Sequence, residues 1–216
     1  VDSTSEKGFI ETELRGAAMK LHTRSQSPKE GEAKEIKMEP YVTTHDDYVL
    51  FLVDSQYVYQ AFEDVINSVE ELSVFSNSPL DRTTVLESDI EYMVKEFQIQ
   101  KPDVGKAGLE YADVIRQLGN NGDINQFICH YYNFYFAHTA GGRMIGKKLS
   151  SLLLNKKTLD FYKWDGDLNK IKKDVKIDIE NIVKSWSVAE KKKCTDATAA
   201  AFKGGGAINN CLSGGQ

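Results

Sequence analysis

The sequence predicts an all-α fold, organised as a single domain. Apolar residues recur with a period near 3.6 in the longest patterns of the 216-residue chain, and only four prolines interrupt it. The hydrophobic fraction of 41% and the charged fraction of 27% are ordinary for a globular domain. We therefore expect a bundle of about eight helices over residues 6–203, with a disordered remnant at 1–5 and a flexible glycine-rich tail at 204–216.

Two amphipathic helices are expected in the first third of the chain. The first spans about residues 6–26 and carries apolar residues at spacings of three and four. A charged stretch over 28–40 follows, which we expect to form a loop or a weak helix. The second helix begins at Thr44, where Asp47 stands three residues later, and its apolar stripe extends to Ile66.

The other predicted helices are bounded by turn and capping signals. Their expected spans are about 81–97, 109–118, 123–154, 168–186 and 187–202. The residues that mark their starts are Pro79 with Asp81, Asp123, Asp167, and Ser187 with Glu190. The helix over 123–154 is the longest of these, and aromatic residues dominate its first half.

The net charge of −5 is unevenly distributed along the chain. Residues 1–108 hold 11 basic and 21 acidic side chains, whereas residues 109–216 hold 16 basic and 11 acidic ones. A protein that binds duplex nucleic acid is usually more basic overall, so we expect no nucleic-acid partner. Such a split is commonly a solvated surface, but a basic half also suits an acidic protein partner or an anionic ligand.

Membrane-spanning and disulfide-stabilised classes are also excluded by the sequence. No apolar run approaches the roughly 20 residues needed to cross a bilayer, so we expect no membrane anchor. The cysteines, Cys129, Cys194 and Cys211, are odd in number and lack Cys-x-x-Cys spacing. This pattern excludes a disulfide scaffold and a thiolate zinc site, and it indicates a reducing compartment.

Three glycines interrupt the long aromatic helix. Because a glycine inside a helix costs about 1 kcal/mol relative to alanine, Gly141, Gly142 and Gly146 indicate a requirement that offsets this cost. A kink that brings the backbone close to a ligand would meet it, and so would close helix–helix packing. The segment up to Lys147 also matches the start of a phosphate-binding loop. Lys148 stands where that loop needs Ser or Thr, and no strand precedes it, so we exclude the motif.

The four histidines do not form a multi-histidine metal motif. None of His22, His45, His130 and His138 has a glutamate three residues before it, which excludes the Glu-x-x-His pairs of di-iron bundles. A single histidine at a helix edge is more often a core or surface residue than a ligand. However, His22 borders the apolar stripe of the first helix, and His138 just precedes the glycine pair. Such histidines would suit a planar cofactor held between two helices.

Six segments carry a resemblance to a known family. They cover residues 19–23, 39–40, 51–55, 127–133, 136–146 and 161–166. The longest reads Phe-Ala-His-Thr-Ala-Gly-Gly-Arg-Met-Ile-Gly. These motifs closely resemble heme oxygenases of the plant and algal plastid type. The resemblance extends from about residue 9 to residue 202 and is weaker over 67–125.

The resemblance implies both the fold and the site residues. It implies a helical domain in which heme lies between the first helix and the glycine-interrupted helix, with His22 as the ligand to the iron. His138 takes the catalytic distal position, and Gly141 and Gly142 place their backbone against the heme face. Tyr132 matches a residue at the heme edge. The basic residues implied to hold the heme propionates are Arg15, Lys172 and Lys176, the last replacing the Arg of most relatives.

The resemblance also implies a reaction and its partners. The reaction consumes heme b, O2 and reducing equivalents, and it gives biliverdin IXα, Fe2+ and CO for bilin chromophore synthesis. The implied electron donor is reduced ferredoxin, an acidic protein that suits the basic second half of the chain. A bilin reductase is a further expected partner for the product. We expect a monomer in the plastid stroma, in a mature form from which a transit peptide has been removed.

Two alternatives to this function stay open. The first is a non-catalytic heme-binding protein of the same fold; some plant relatives lack the iron ligand, and the presence of His22 argues against this class. The second is a hydrolase of the thiaminase type, which would need a nucleophilic cysteine in its pocket. Cys129 lies nine residues before His138, and we expect it to pack as a small apolar side chain instead.

Overall fold

The fold is described by a computed structural model over residues 7–26 and 41–215. Within these ranges the chain forms helices and connecting turns, without strands, so the predicted all-α class is confirmed. No helix in these ranges is long and apolar enough to cross a bilayer. The predicted remnant at 1–5 and the charged stretch at 28–40 lie outside the described residues.

Nine α-helices make up most of the described residues. They are α1 (Arg15–Gln26), α2 (His45–Ser68), α3 (Thr83–Phe97), α4 (Lys106–Asn120), α5 (Ile124–Ala137), α6 (Arg143–Leu153), α7 (Leu168–Val183), α8 (Val188–Asp196) and α9 (Thr198–Asn209). Two π-helical turns and three 3-10 turns supplement them. The π turns are Ile10–Leu14 and His138–Gly142, and the 3-10 turns are Glu70–Phe75, Asp160–Tyr162 and Asn210–Ser213.

Local side-chain caps fix the starts of three helices, as the sequence predicts. Thr44 accepts a hydrogen bond from the backbone of Asp47, whose carboxylate accepts one in return from Thr44, and this capping box starts α2. Ser187 and Glu190 form the same arrangement at α8. Asp167 caps α7 by accepting hydrogen bonds from the backbone N–H groups of Asn169 and Lys170 in the first turn.

The predicted long helix over 123–154 is present as α5 and α6 joined by a π turn. The π turn, His138–Gly142, contains the glycine pair and one extra residue relative to a regular turn. Such insertions bend a helix and are frequent at functional sites. The interruption of the aromatic helix therefore falls where the glycines predict it.

The core is centred on α2, which packs against α3, α4 and the C-terminal 3-10 turn. Thirteen of its residues are buried, and Phe62 makes ring contacts with α4 and α5, including a stacked pair with Phe134 at 5.5 Å. Each fully buried side chain of this kind contributes about 1.5–3 kcal/mol. This packing holds α5 in place and thereby positions the π turn at its end.

The prediction of a flexible tail over 204–216 is wrong for most of these residues. α9 continues through Gly204, Gly205 and Gly206 to Asn209, and a 3-10 turn extends to Ser213. Tertiary packing outweighs the low helix propensity of glycine here, because the ring of Tyr111 occupies the space that a side chain at Gly204 would need. The predicted last helix over 187–202 is likewise two helices, α8 and α9.

Candidate active site

A cavity of about 530 Å³ lies between α1, α2, the π turn after α5, and α9. This volume is within the range of about 300–1,000 Å³ that is typical of small-molecule sites. The wall is mainly apolar and aromatic, with a few polar groups. The predicted site residues that line it are His22, Tyr132, His138, Gly141 and Gly142.

His22 reaches the cavity from α1. Its side chain is exposed and belongs to the cavity wall, so the imidazole is accessible to a ligand there. The π turn that leads into α1 is attached to α7, because the carboxylate of Glu180 accepts hydrogen bonds from the backbone N–H of Phe9 at 3.2 Å and of Ile10 at 2.7 Å. A carboxylate at a helix N-terminus also interacts favourably with the helix dipole. α1 is therefore anchored through the π turn that precedes it.

His138 is held inside the wall rather than projecting freely into the cavity. Its Nε2 lies 2.8 Å from the carbonyl oxygen of Phe161, and the two rings stack with centroids 3.8 Å apart. Burial lowers the pKa of His138 to about 3, and the charge of Arg82 acts in the same direction. The imidazole is therefore neutral at physiological pH. Because a carbonyl only accepts, Nε2 carries the proton and Nδ1 keeps its lone pair.

The segment that fixes His138 is itself anchored by two buried charged side chains. The carboxylate of Asp89 accepts hydrogen bonds from the backbone N–H of Phe161 and of the residue before it, at 2.7 and 3.0 Å. The guanidinium of Arg82 donates to the carbonyl oxygens of Lys163 at 2.6 Å and Phe161 at 3.4 Å. Neither residue was predicted from the sequence, since neither belongs to a motif with recognisable spacing.

The three glycines serve different purposes. A Cβ at Gly141 would meet nothing within 4 Å, so this glycine leaves space open at the cavity wall. A Cβ at Gly142 would lie 2.9 Å from Nδ1 of His138, so glycine is needed for the histidine to adopt its position. Gly146 packs directly against the ring of Tyr162. Open space at the cavity wall and close packing therefore both occur in this stretch, at different positions.

Basic side chains collect at one edge of the cavity. The Nζ atoms of Lys172 and Lys176 lie 5.9 and 5.8 Å from the ring centre of Phe136, which lines the cavity. Arg15 and Lys176 both contact Glu11, at 3.0 and 2.9 Å. Burial and the charge of Lys176 lower the pKa of Lys172. The structure thus brings the three predicted propionate residues together, and it adds Glu11, which no sequence motif indicates.

The remaining histidines and Cys129 make contacts within the fold, away from the cavity. His45 hydrogen-bonds the carbonyl oxygen of Leu153 at 2.8 Å, and His130 hydrogen-bonds the hydroxyl of Tyr111 at 2.9 Å. Cys129 is fully buried, which confirms that it packs in the core. Among the residues that the structure describes, no three His, Cys, Asp or Glu side chains converge on a metal site.

Comparison with known proteins decides the family. The family model described as heme oxygenase matches residues 10–204. The chain belongs to the heme oxygenase family. Heme oxygenase 1, chloroplastic, of Oryza sativa subsp. japonica is 42% identical over 201 residues, which cover 91% of this chain and 68% of the relative. Heme oxygenase 1, chloroplastic, of Arabidopsis thaliana is 39% identical over 209 residues, which cover 94% and 73%.

Solved structures agree with this family at the level of the fold. The crystal structure of heme oxygenase-1 from the cyanobacterium Synechocystis sp. PCC6803 in complex with heme superposes with a TM-score of 0.72. The match covers 96% of this chain and 93% of that chain, at 20% sequence identity. The helical architecture of the heme oxygenase type is therefore confirmed for this protein.

The residues around the cavity fit a heme group. The walls are aromatic and apolar, as a porphyrin plane requires, and the open space beside Gly141 lets a flat ligand approach the backbone. His22 supplies an imidazole nitrogen, a donor that heme iron accepts. The basic residues beside Phe136 supply partners for two carboxylates.

Proposed function

We propose that this chain is a plastid heme oxygenase that converts heme b to biliverdin IXα, Fe2+ and CO with O2 and electrons from reduced ferredoxin. One observation carries the proposal: a single cavity is lined by an accessible histidine on α1 and by a glycine pair in a π turn on another helix. That combination suits a flat iron macrocycle bound from one side and approached by backbone on another. The chloroplast relatives support the plastid assignment.

Heme, when bound, supplies the iron that activates O2 and the carbon that is oxidised. The chain positions this substrate. His22 would hold the iron from α1, because its imidazole lines the cavity. Gly141 and Gly142 would place their backbone against the bound ring, because the absence of side chains allows a close approach and leaves limited space for a small ligand. The aromatic walls exclude bulk water.

His138 controls the shape of the glycine wall. Its Nε2–H bond to the Phe161 carbonyl and its stacking on the Phe161 ring fix the π turn against the neighbouring 3-10 turn. Because the imidazole ring of His138 is neutral, it adds no positive charge to the part of the cavity wall that it forms. We assign His138 a catalytic role on the distal side through the position of this turn and through the water that it admits.

The basic edge orients the substrate within its plane. Arg15, Lys172 and Lys176 hold the two propionates at one edge of the cavity, beside Tyr132 and Phe136. Apolar walls alone do not distinguish rotations of a nearly symmetric ring, whereas charge-assisted hydrogen bonds do. This orientation places one meso carbon next to the open distal space and so yields one biliverdin isomer.

The electron donor binds an exposed basic area that we name the lysine surface. Its residues, all exposed, lie in α6 and in the turns beyond it and are Lys147, Lys148, Lys156, Lys157 and Lys163. Ferredoxin is acidic, so complementary charge would guide its association. Two of these side chains also make local contacts, since Lys163 pairs with Asp160 at 2.8 Å and Lys157 lies 3.3 Å from the ring centre of Tyr92. We expect a stromal monomer that passes its product to a bilin reductase.

The test is a heme titration followed by turnover. Hemin added to the protein should give a Soret band that saturates at one heme per chain. Addition of ferredoxin, its reductase and NADPH should convert that band into biliverdin absorption, with CO trapped by deoxymyoglobin. The His22→Ala variant is the matched control and should lose the native Soret band.

Two results would contradict this proposal. Absence of saturable heme binding would remove the function altogether. Stable heme binding without biliverdin formation, with either ferredoxin or ascorbate as the reductant, would instead support the non-catalytic heme-binding alternative.

A further inference from the structure

Glu11 lies between two of the cations at the basic edge of the cavity. Its Oε1 is 2.9 Å from Nζ of Lys176, and its Oε2 is 3.0 Å from the guanidinium of Arg15. The hydrogen bonds from Lys176 and then Arg15 lower the pKa of Glu11, so this carboxylate is ionised at neutral pH. The two carboxylate oxygens of Glu11 therefore bind cations on two separate helices, α1 and α7.

The contacts of neighbouring residues place this group beside two residues that line the cavity, Tyr132 and Phe136. Tyr132 lines the cavity, and the charges of Glu11 and Arg15 both influence its pKa, which burial chiefly raises. Lys176 lies against Phe136, which also lines the cavity. The Glu11 carboxylate is thus next to the edge where carboxylates of a bound tetrapyrrole would lie.

We propose that Glu11 competes with the carboxylates of the bound tetrapyrrole for Arg15 and Lys176, and thereby weakens the binding of substrate and product. The inference rests on the proposed function, because it takes the ligand to be a dicarboxylate tetrapyrrole. A carboxylate that approaches Lys176 must share or replace the Glu11 contact, and it is also repelled by the Glu11 charge.

This competition favours turnover over tight retention. Biliverdin keeps both carboxylates of heme, so the basic edge that orients the substrate would also retain the product. In many enzymes product release limits the rate. A built-in carboxylate that reoccupies the two cations lowers the barrier to release, while the apolar walls and His22 still select heme.

The expected size of the effect follows from exposure. The side chains of Glu11, Lys176 and Arg15 are 36%, 31% and 60% exposed, so solvent and salt screen their interactions substantially. Removal of the Glu11 charge should therefore slow tetrapyrrole release by about two- to fivefold at low salt, and by less at high salt.

The experiment compares Glu11→Gln with Glu13→Gln. Glu13 lies in the same π turn, is exposed, and undergoes the same change of charge. Release of heme is followed by transfer to excess apomyoglobin, and release of biliverdin by stopped-flow absorption. Each measurement is repeated with heme dimethyl ester, which lacks ionised propionates. Thermal unfolding of each variant confirms that the comparison is made on folded protein.

We expect Glu11→Gln to release heme and biliverdin more slowly than the wild type, Glu13→Gln to resemble the wild type, and the difference to disappear with the dimethyl ester. Release from Glu11→Gln at the wild-type rate or faster would overturn the inference and identify Glu11 as a group that orients the cations. Equal effects of the two variants, or an effect that persists with the ester, would also overturn it. Wild-type protein that binds no heme would instead refute the proposed function.

Discussion

Alanine at Gly141 and alanine at Gly142 should affect stability differently, although the two positions are adjacent in one π turn. Both substitutions replace a glycine inside a helix and so gain up to about 1 kcal/mol from backbone propensity. At Gly141 the new methyl group meets no atom within 4 Å, and this gain is retained. At Gly142 the methyl group would lie 2.9 Å from Nδ1 of His138. The histidine must then move, and its 2.8 Å hydrogen bond to Phe161 is lost or lengthened.

The difference between the variants isolates the cost of moving His138, because the propensity gain is common to both. Leaving a buried donor and acceptor without partners costs about 1–3 kcal/mol. In a chain of this length each kcal/mol shifts the melting temperature by about 2–4 °C. Gly141→Ala should therefore melt about 2–12 °C above Gly142→Ala, as measured by far-ultraviolet circular dichroism on heme-free protein.

The same pair should separate stability from ligand binding. The methyl group of Gly141→Ala projects into space at the cavity wall, so this variant should bind hemin more weakly than the wild type despite its higher melting temperature. Soret titrations give the affinities. A Gly142→Ala protein as stable as Gly141→Ala would refute the role of glycine in seating His138. Unchanged hemin affinity in Gly141→Ala would show that this position does not face the ligand.

Four other substitutions or conditions test the remaining parts of the site. His22→Ala should lose the native Soret band and its activity while keeping some heme affinity, and a native spectrum would assign the iron to another ligand. His138→Ala should bind heme normally and form biliverdin slowly. Burial lowers the pKa of His138 to about 3 in the folded protein, so the unfolded chain binds this proton first as the pH falls below about 6.5. The free energy of unfolding of the wild type should therefore decrease as the pH falls from about 6.5 towards 3, and it should decrease less in His138→Ala. The double change Lys172→Glu and Lys176→Glu should give mixed biliverdin isomers by chromatography, whereas one pure isomer would leave Arg15 as the main propionate partner. Salt should slow turnover that is driven by ferredoxin but not by ascorbate, and equal sensitivity would exclude the lysine surface as the docking area.

Local sequence signals were sufficient to predict where three of the helices, α2, α7 and α8, begin. The capping box at Thr44 and the cap at Asp167 each depend on residues two or three positions apart, so their geometry follows from the chain alone. The interruption at Gly141 and Gly142 was predictable for the same reason, since glycine has a known cost within a helix. The π form of this turn was not, because it depends on what packs against it.

Features that depend on distant partners were missed. Glu11 contacts a lysine 165 positions away, and Asp89 contacts a backbone N–H 72 positions away, so no periodic pattern connects them. The helix through Gly204 was missed for a similar reason. Its glycines predict flexibility when read locally, whereas packing against Tyr111 and a hydrogen bond from Thr43 to the carbonyl of Leu212 at 2.6 Å hold this region in place.

The position of His138 depends on buried charges that no motif includes. Burying a charged side chain without partners costs several kcal/mol, so Arg82 and Asp89, each about 4% exposed, are stable only because backbone groups satisfy them. Those groups belong largely to the segment around Phe161, whose carbonyl and ring fix the histidine. Apolar residues in place of the two charges would leave the same peptide groups without partners inside the protein. A chain can therefore carry the whole motif of residues 136–146 and still fail to place its histidine, unless remote residues anchor the segment against which that histidine packs.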